Sequence, residues 1–524
     1  MYRSMIAKLK NNEIRFVFPL LPIYLFYSYF FSVIYQSDLN KFDWYIFNTE
    51  TQVYRDAFSN LTVPGFLQYE MPNATALANI GEYYPAFPYG IRTPDVFLLP
   101  FIGNLSFMYI HIAWVAALGL YGIYKISKET GVSYFTYVLL SITWFLSGPL
   151  IARMGIGHTP LFGYFLIPLF FYLLLKLNSS RFSWTNILHM GLFLFLIGLL
   201  GSAIVFSQMC LILAINAILK IKYFYNYLGS IVVGLVLSSY LILPTLFNSK
   251  YVNAPNRTVF EGYGWIFSNR LMLKEFILNF SPTLENIANL LKLLTQHLIQ
   301  IFQHLSLAIN SQNAALKDGG WEWTLYSGIA YVLALTLILV FRRDLNFSLF
   351  NNKSYNSLMF KLCFILAILS VSLVYRFIFK LSNLVFNFPA IDRIPYRMMI
   401  YVLFVSYLFL FKNLDSIVQK ISNAKYSLII KSLILISQLI SLVKNASNWF
   451  LSNIYNTFQE YDPKVLSSEN VFSDVDNVSG ITMDTYIGYG ITIVSLTLMA
   501  AIYFIKLFRS GRGQNSRLKG ANWI

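Results

Sequence analysis

Charge is what this sequence has least of. Only 12% of its 524 residues are charged, about half the ~25% typical of a soluble domain, and the deficit runs the whole length. That excludes a water-soluble globular enzyme and a disordered chain alike. Gly (27) and Pro (17) are too sparse for a fibrous or low-complexity protein. Cysteine is nearly missing: Cys210 and Cys363 both sit in apolar stretches and give neither a disulfide framework nor metal-ligand spacing. The net charge of +16 has no long basic run behind it, so it does not announce a nucleic-acid partner. The chain has no Walker A, no GxGxxG after a strand, no HExxH, no CxxC and no GxSxG. Nearly all carboxylates fall between the apolar runs, which counts against an ion-coupled transporter.

What is abundant is apolar length. Hydrophobic residues make up 57% of the chain and mean hydropathy is +0.57. Stretches long enough to cross a bilayer fall at 16–35, 106–124, 132–148, 160–176, 187–201, 203–219, 227–246, 324–341, 359–377, 398–411, 426–443 and 487–505. The tenth is short, and Lys431 interrupts the eleventh. The first follows Lys8, Lys10 and Arg15 but is too long and bulky for a signal peptide, and no small-residue cleavage site follows; it reads as a retained span. The expected fold is therefore all-α and polytopic, with about 12 transmembrane helices.

Charge orients the spans. With both termini cytoplasmic, the inside segments hold 23 of the 39 Lys and Arg but only 4 of the 23 acids, a balance of +19. The outside segments come to −3. Every short inside loop is basic, as the positive-inside rule requires. Most of the mass outside the membrane then belongs to three outer loops, 36–95, 247–323 and 444–486, with shorter ones at 149–159 and 378–397. A chain built this way works at its outer face. Residues 1–420 read as one module carrying the first two large loops. Residues 421–524 read as C-terminal spans with the third loop and a basic tail.

Within 247–323, Leu290, Leu294, Leu298, Ile301 and Leu305 recur at helical spacing across Asn289–Ile309. This is an amphipathic helix, lying either in the outer interface or against other loops. His297 and His304 are seven apart with no carboxylate partner evident, so no metal site is expected there.

The first outer loop is the most informative. Asp43 to Phe58 fits a helix parallel to the membrane surface, and Asp43 and Glu50, seven apart, share a face. Asp43 is either a helix cap or a carboxylate held beside a substrate. Further on, Tyr83 and Tyr84 offer flat faces for sugar rings or belong to the interfacial aromatic belt. Two other outer segments carry cations in apolar surroundings: Arg153 and His158 in SGPLIARMGIGHTPLFGY, and Arg393 and Arg397 in FPAIDRIPYRMM. A guanidinium fork matches phosphate oxygens; lipid headgroups or loop acids such as Asp392 are the alternative partners.

Taken in order, these elements resemble the GT-C superfamily of membrane glycosyltransferases, most closely its bacterial YfhO-like polytopic members. The resemblance rests on FDWYIFNTETQVYRDAF after the first span, NIGEYYPAFPYGIRTPDVFLLPF before the second, and the GLYGIYKISKETG turn. It rests also on SGPLIARMGIGHTPLFGYFLIPLFFYLLLK and on Arg393, Pro395 and Arg397 in RIPYR. It covers about the first 250 residues and the 320–415 region. It implies a bacterial cytoplasmic-membrane enzyme, active at the outer face, that moves a sugar from a polyprenyl-phosphate donor to a glycan, lipid or protein acceptor with inversion. Asp43, with Glu50 beside it, would be the general base. Arg153, Arg393, Arg397 and His158 would hold the donor phosphate, with Tyr83 and Tyr84 on the substrate. No cofactor or metal is called for beyond the lipid-linked sugar. Partners would be the donor, the acceptor, membrane lipids and other membrane proteins, with no nucleic acid. The other function classes are a lipid-linked glycan flippase and a non-catalytic membrane subunit of a larger complex. A flippase should line its spans with charge, whereas here charge keeps to the outer rim.

Overall fold

A computed structural model describes residues 18–36, 47, 51, 54–55, 58, 91–155, 157, 159–240, 242, 326–341, 349–350, 353–369, 395–447, 487 and 490–501. Among the described residues every regular element is helical. In chain order they are α1 (Leu20–Gln36), α2 (Asn104–Thr130), α3 (Tyr134–Leu146), α4 (Gly148–Gly155), α5 (Ile167–Leu177), α6 (Trp184–Leu199), α7 (Ala203–Leu219), α8 (Phe224–Leu237), α9 (Ile329–Val340), α10 (Lys353–Leu369), α11 (Met399–Ile421) and α12 (Ala424–Ser447). A further helix, α13, covers Gly490–Ala501. Short 3-10 turns at Pro94–Leu98, Thr159–Leu166 and Pro395–Met398 precede α2, α5 and α11.

Each apolar stretch in the sequence holds one or more of these helices. Four are long and apolar enough to cross a bilayer unaided: Asn104–Thr130, α3 with α4 as Tyr134–Gly155, Met399–Ile421 and Tyr426–Ser447. The pair α7 and α8 reaches that length together but bends by 118° at its break. The other apolar helices run 10–17 residues. These lengths and compositions are those of a helical membrane protein, with four spans at full length where the hydropathy pattern alone gave twelve. The amphipathic helix expected at Asn289–Ile309 lies outside the described residues.

Three stretches differ from their sequence reading. The short run at 398–411 is part of a 23-residue helix, α11, because its polar end still packs: Asn413 and Asp415 are buried. The eleventh stretch is not broken at Lys431. Its ammonium lies 2.5 Å from Asp415 of α11 and 5.5 Å from the Phe135 ring centre, so its charge is paired. Residues 149–159 are not an exposed loop: after one extended residue, Ser147, the chain resumes as α4, and every residue of α4 is buried.

Local chemistry sets the helix ends. Gly131 follows α2 with φ 62°, and its N–H returns to the Lys128 and Ser127 carbonyls, a left-handed stop that glycine adopts without strain. Ser133 then caps α3 by accepting from the Thr136 N–H. With so short a turn, α2 and α3 are antiparallel, so the start of α2 and the end of α3 share one end of the bundle. The core is made by close helix contacts at small residues, the device helices use where lipid gives no hydrophobic drive to associate. A Cβ on Gly122 would fall 2.6 Å from Leu169 Cα, and one on Gly234 2.8 Å from a Leu194 methyl. Gln438 of α12 stitches the later helices to the earlier ones. It donates to Thr143 Oγ1 (2.9 Å) and the Ser327 carbonyl (2.8 Å), and accepts from the Ala330 N–H (2.7 Å).

Candidate functional site

The site is built where the 3-10 turn Thr159–Leu166 passes between α2 and α4. Pro160 and Pro168 flank this turn; the second occupies the first turn of α5, where a missing N–H is harmless. Gly163 lets the turn lie against α7: its N–H donates to Ser202 Oγ (3.0 Å), and a Cβ there would sit 2.9 Å from Ser202 Cβ. Successive side chains then diverge. Phe162 packs on the His111 ring, centroids 5.2 Å apart, and Tyr164 meets the Arg153 guanidinium at 5.9 Å.

Arg153 is 1% exposed. Its Nη1 donates to the Pro149 carbonyl one turn back, at 2.7 Å. The Tyr164 hydroxyl donates to Gln208 Oε1 (3.3 Å), and its ring meets that of Tyr401 edge-on at 6.4 Å. Tyr401 stands one turn after Arg397, which is also buried. The structure thus draws two of the expected arginines toward one tyrosine pair, through α4 and the head of α11. Asp43, Glu50, Tyr83, Tyr84, His158 and Arg393 lie outside the described residues.

The described part of the first large loop docks on the same end. Phe47, Thr51, Tyr54, Arg55 and Phe58 are helical, in keeping with the helix expected over that stretch. They are spaced as one helix face. Phe47 stacks on Phe107 (6.2 Å), and Phe58 lies 5.0 Å from Phe97. Arg55 donates to the carbonyls of Leu99 (2.9 Å) and Ile102 (3.0 Å), binding this face to the approach to α2.

A second cluster was not singled out in the sequence. Asp95, at the start of the Pro94–Leu98 turn, accepts on Oδ2 from Trp114 Nε1 (2.9 Å) and pairs there with His111 Nδ1 (2.7 Å). His111 is fully buried and the Asp95 side chain is 9% exposed. Burial works to raise the Asp95 carboxyl, but the His111 hydrogen bond and charge, with the Trp114 bond, hold it below the ordinary 3.8. Asp95 is therefore ionised at neutral pH. The signal was present: a histidine inside an apolar run needs a partner, and His111 is the titratable residue of 106–124 nearest the first loop. Its partner lies 16 residues earlier, beyond any helical spacing. Among the described residues no group of three or more His, Cys, Asp or Glu could hold a metal ion.

Comparison with known proteins gives no relative to lean on: no family model, no curated protein and no solved structure matches this chain.

Proposed function

We propose that the chain is an integral-membrane glycosyltransferase of the GT-C type, using a polyprenyl-phosphate sugar at the outer face of a bacterial cytoplasmic membrane. The observation that carries this reading is the burial of Arg153 beside Tyr164, with Arg397 buried one turn before Tyr401 in the adjoining ring pair. Guanidinium groups in an apolar bundle suit an anion, and a phosphate on a lipid tail brings its own apolar handle into the helices. The charge balance of +19 against −3 sets the first-loop end outside.

In this reading the first loop supplies the base. Asp43 takes the proton from an acceptor hydroxyl, and that oxygen attacks the anomeric carbon. The bond to phosphate breaks with inversion, and polyprenyl phosphate leaves with the electron pair. Phosphate is a good leaving group, so no second carboxylic acid is needed, unlike a glycosidase. Arg153, Arg397 and Arg393 bind the phosphate and stabilise its growing charge. The spans around the site hold the lipid tail, and Tyr83 and Tyr84 face the sugars. No cofactor beyond the lipid-linked donor is required.

The test is transfer of labelled sugar from a polyprenyl-phosphate donor by purified protein in lipid. Arg153→Ala is expected to lower the rate about 10²–10³-fold, or about 2.7–4 kcal/mol of barrier, and Asp43→Asn to abolish transfer. Undiminished transfer by Asp43→Asn refutes the base. Movement of the lipid-linked sugar across the bilayer with no transfer replaces the transferase by a flippase.

A further inference from the structure

The Asp95–His111 pair has no role in the reaction just described, yet it is the most constrained titratable group among the described residues. Four side chains fix the imidazole. Phe107 stacks on it at 5.5 Å and 25°, Trp114 meets it edge-on at 5.2 Å, and Phe162 tilts against it at 5.2 Å. Asp95 takes Nδ1. Nε2 is buried with no hydrogen-bond partner, as is Asp95 Oδ1. A buried ring nitrogen left open costs about 1–3 kcal/mol, more if charged, so an orphan here calls for a ligand. Among the described residues Asp95 is the one titratable group in contact with the ring; the 3-10 turn contributes Phe162, α2 contributes Phe107 and Trp114, and the first loop reaches it only through Phe47 on Phe107.

With Nδ1 committed to an ionised carboxylate, a protonated ring is neutralised on one side and presents Nε2–H on the other. That N–H is a charge-assisted donor and wants an oxyanion. The nearest basic neighbour argues the same way. The turn that carries Phe162 onto His111 carries Tyr164, two residues later, onto Arg153. One rigid segment therefore spaces the imidazole from the guanidinium.

We propose that His111 Nε2–H is a further binding group for the phosphate of a lipid-linked ligand, held in its protonated form by Asp95 and acting beside Arg153. The inference rests on the transferase reading for the identity of the donor, but it concerns binding alone. Ligand binding then fixes a proton on His111, so affinity falls as pH rises.

The experiment measures polyprenyl phosphate binding to the full chain in phosphatidylcholine nanodiscs across pH 5.5–8.5, with no acceptor present. Phosphatidic acid and inorganic phosphate are run beside it. Wild type is expected to bind polyprenyl phosphate at least tenfold more weakly at the alkaline end. His111→Gln, which keeps a donor of similar reach but cannot titrate, is expected to lose that slope. Asp95→Asn is expected to flatten it as well. A matching His111-dependent slope with inorganic phosphate keeps the phosphate contact and moves the source from lipid to free anion. Equal binding and equal slope in wild type and His111→Gln for every probe overturns the proposal. His111→Phe, which preserves the aromatic packing, guards against misfolding: it should unfold as a single transition yet bind as weakly as His111→Gln. Binding that depends on His111 without sugar transfer overturns the transferase alone, so the two failures are distinguishable.

Discussion

Gly122 is the position where one added methyl should do most damage. It faces the head of α5, and an alanine Cβ there would sit 2.6 Å from Leu169 Cα and 2.8 Å from Pro168 C, and closer still to the Leu169 nitrogen. All three are backbone atoms, so no rotamer change can relieve the overlap. Ordinary contact begins at 3.4 Å, so α2 and α5 must separate by about 0.8 Å. A gap of that size forfeits about a quarter to a half of the attraction at each contact along the seam. Overpacking of this kind destabilises by about 1–3 kcal/mol, and the upper part of that range is expected because backbone must move. Gly122→Ala should therefore unfold at clearly lower temperature in detergent, followed by near-UV circular dichroism. Gly490→Ala is the matched control, since its added Cβ meets nothing within 4 Å. If the two variants melt together, the small-residue account of the α2–α5 contact is wrong.

Other consequences are equally open to measurement. Lys431→Met alone strands Asp415 at 8% exposure, and breaking a buried pair from one side costs about 3–5 kcal/mol. Removing both charges in Lys431→Met with Asp415→Leu should recover most of that loss, and a double variant no more stable than the single one would refute the pairing. The Asp95 carboxyl titrates below its ordinary 3.8 when folded, so its contribution to stability is complete above about pH 4 and is lost as pH falls through the folded value. Asp95→Asn should flatten that acid limb of the melting-temperature profile; an unchanged acid limb would show that the His111 and Trp114 bonds do not favour the ionised form.

How far the sequence could be read depended on whether the deciding contact was local. Apolar periodicity, the KETG stop at Gly131 and the serine caps are local, and the helices follow them. The glycines of GLYGIY were visible as a motif, although what they pack against was not. Lys431 looked like an interruption because hydropathy sees only its own helix, whereas the compensating Asp415 lies on α11, 16 residues earlier. Residues 149–159 read as a loop because Gly, Pro and Arg are loop-like in composition. The burial that makes them helical comes from other elements, among them the 159–166 turn. Of the eight site residues named from sequence, Arg153 and Arg397 fall within the described residues, and both are buried. Asp95, His111 and Trp114 were missed because separations of 16 and 19 residues match no local period.

These misses share a cause that also bears on how the site works. Each is a charged or titratable group whose partner belongs to another element, so its state is fixed by helix spacing and not by its neighbours in sequence. The 159–166 turn is the common strut. Gly119, whose added Cβ would collide with the Phe165 carbonyl, holds the turn against α2, and Gly163 seats it on Ser202 of α7. Phe162 and Tyr164 project from that strut to His111 and to Arg153. Moving the strut by even half an ångström would change both contacts together. A functional arrangement of this kind is specified by backbone approach at two glycines, and its chemistry is carried by residues that no spacing rule would have joined.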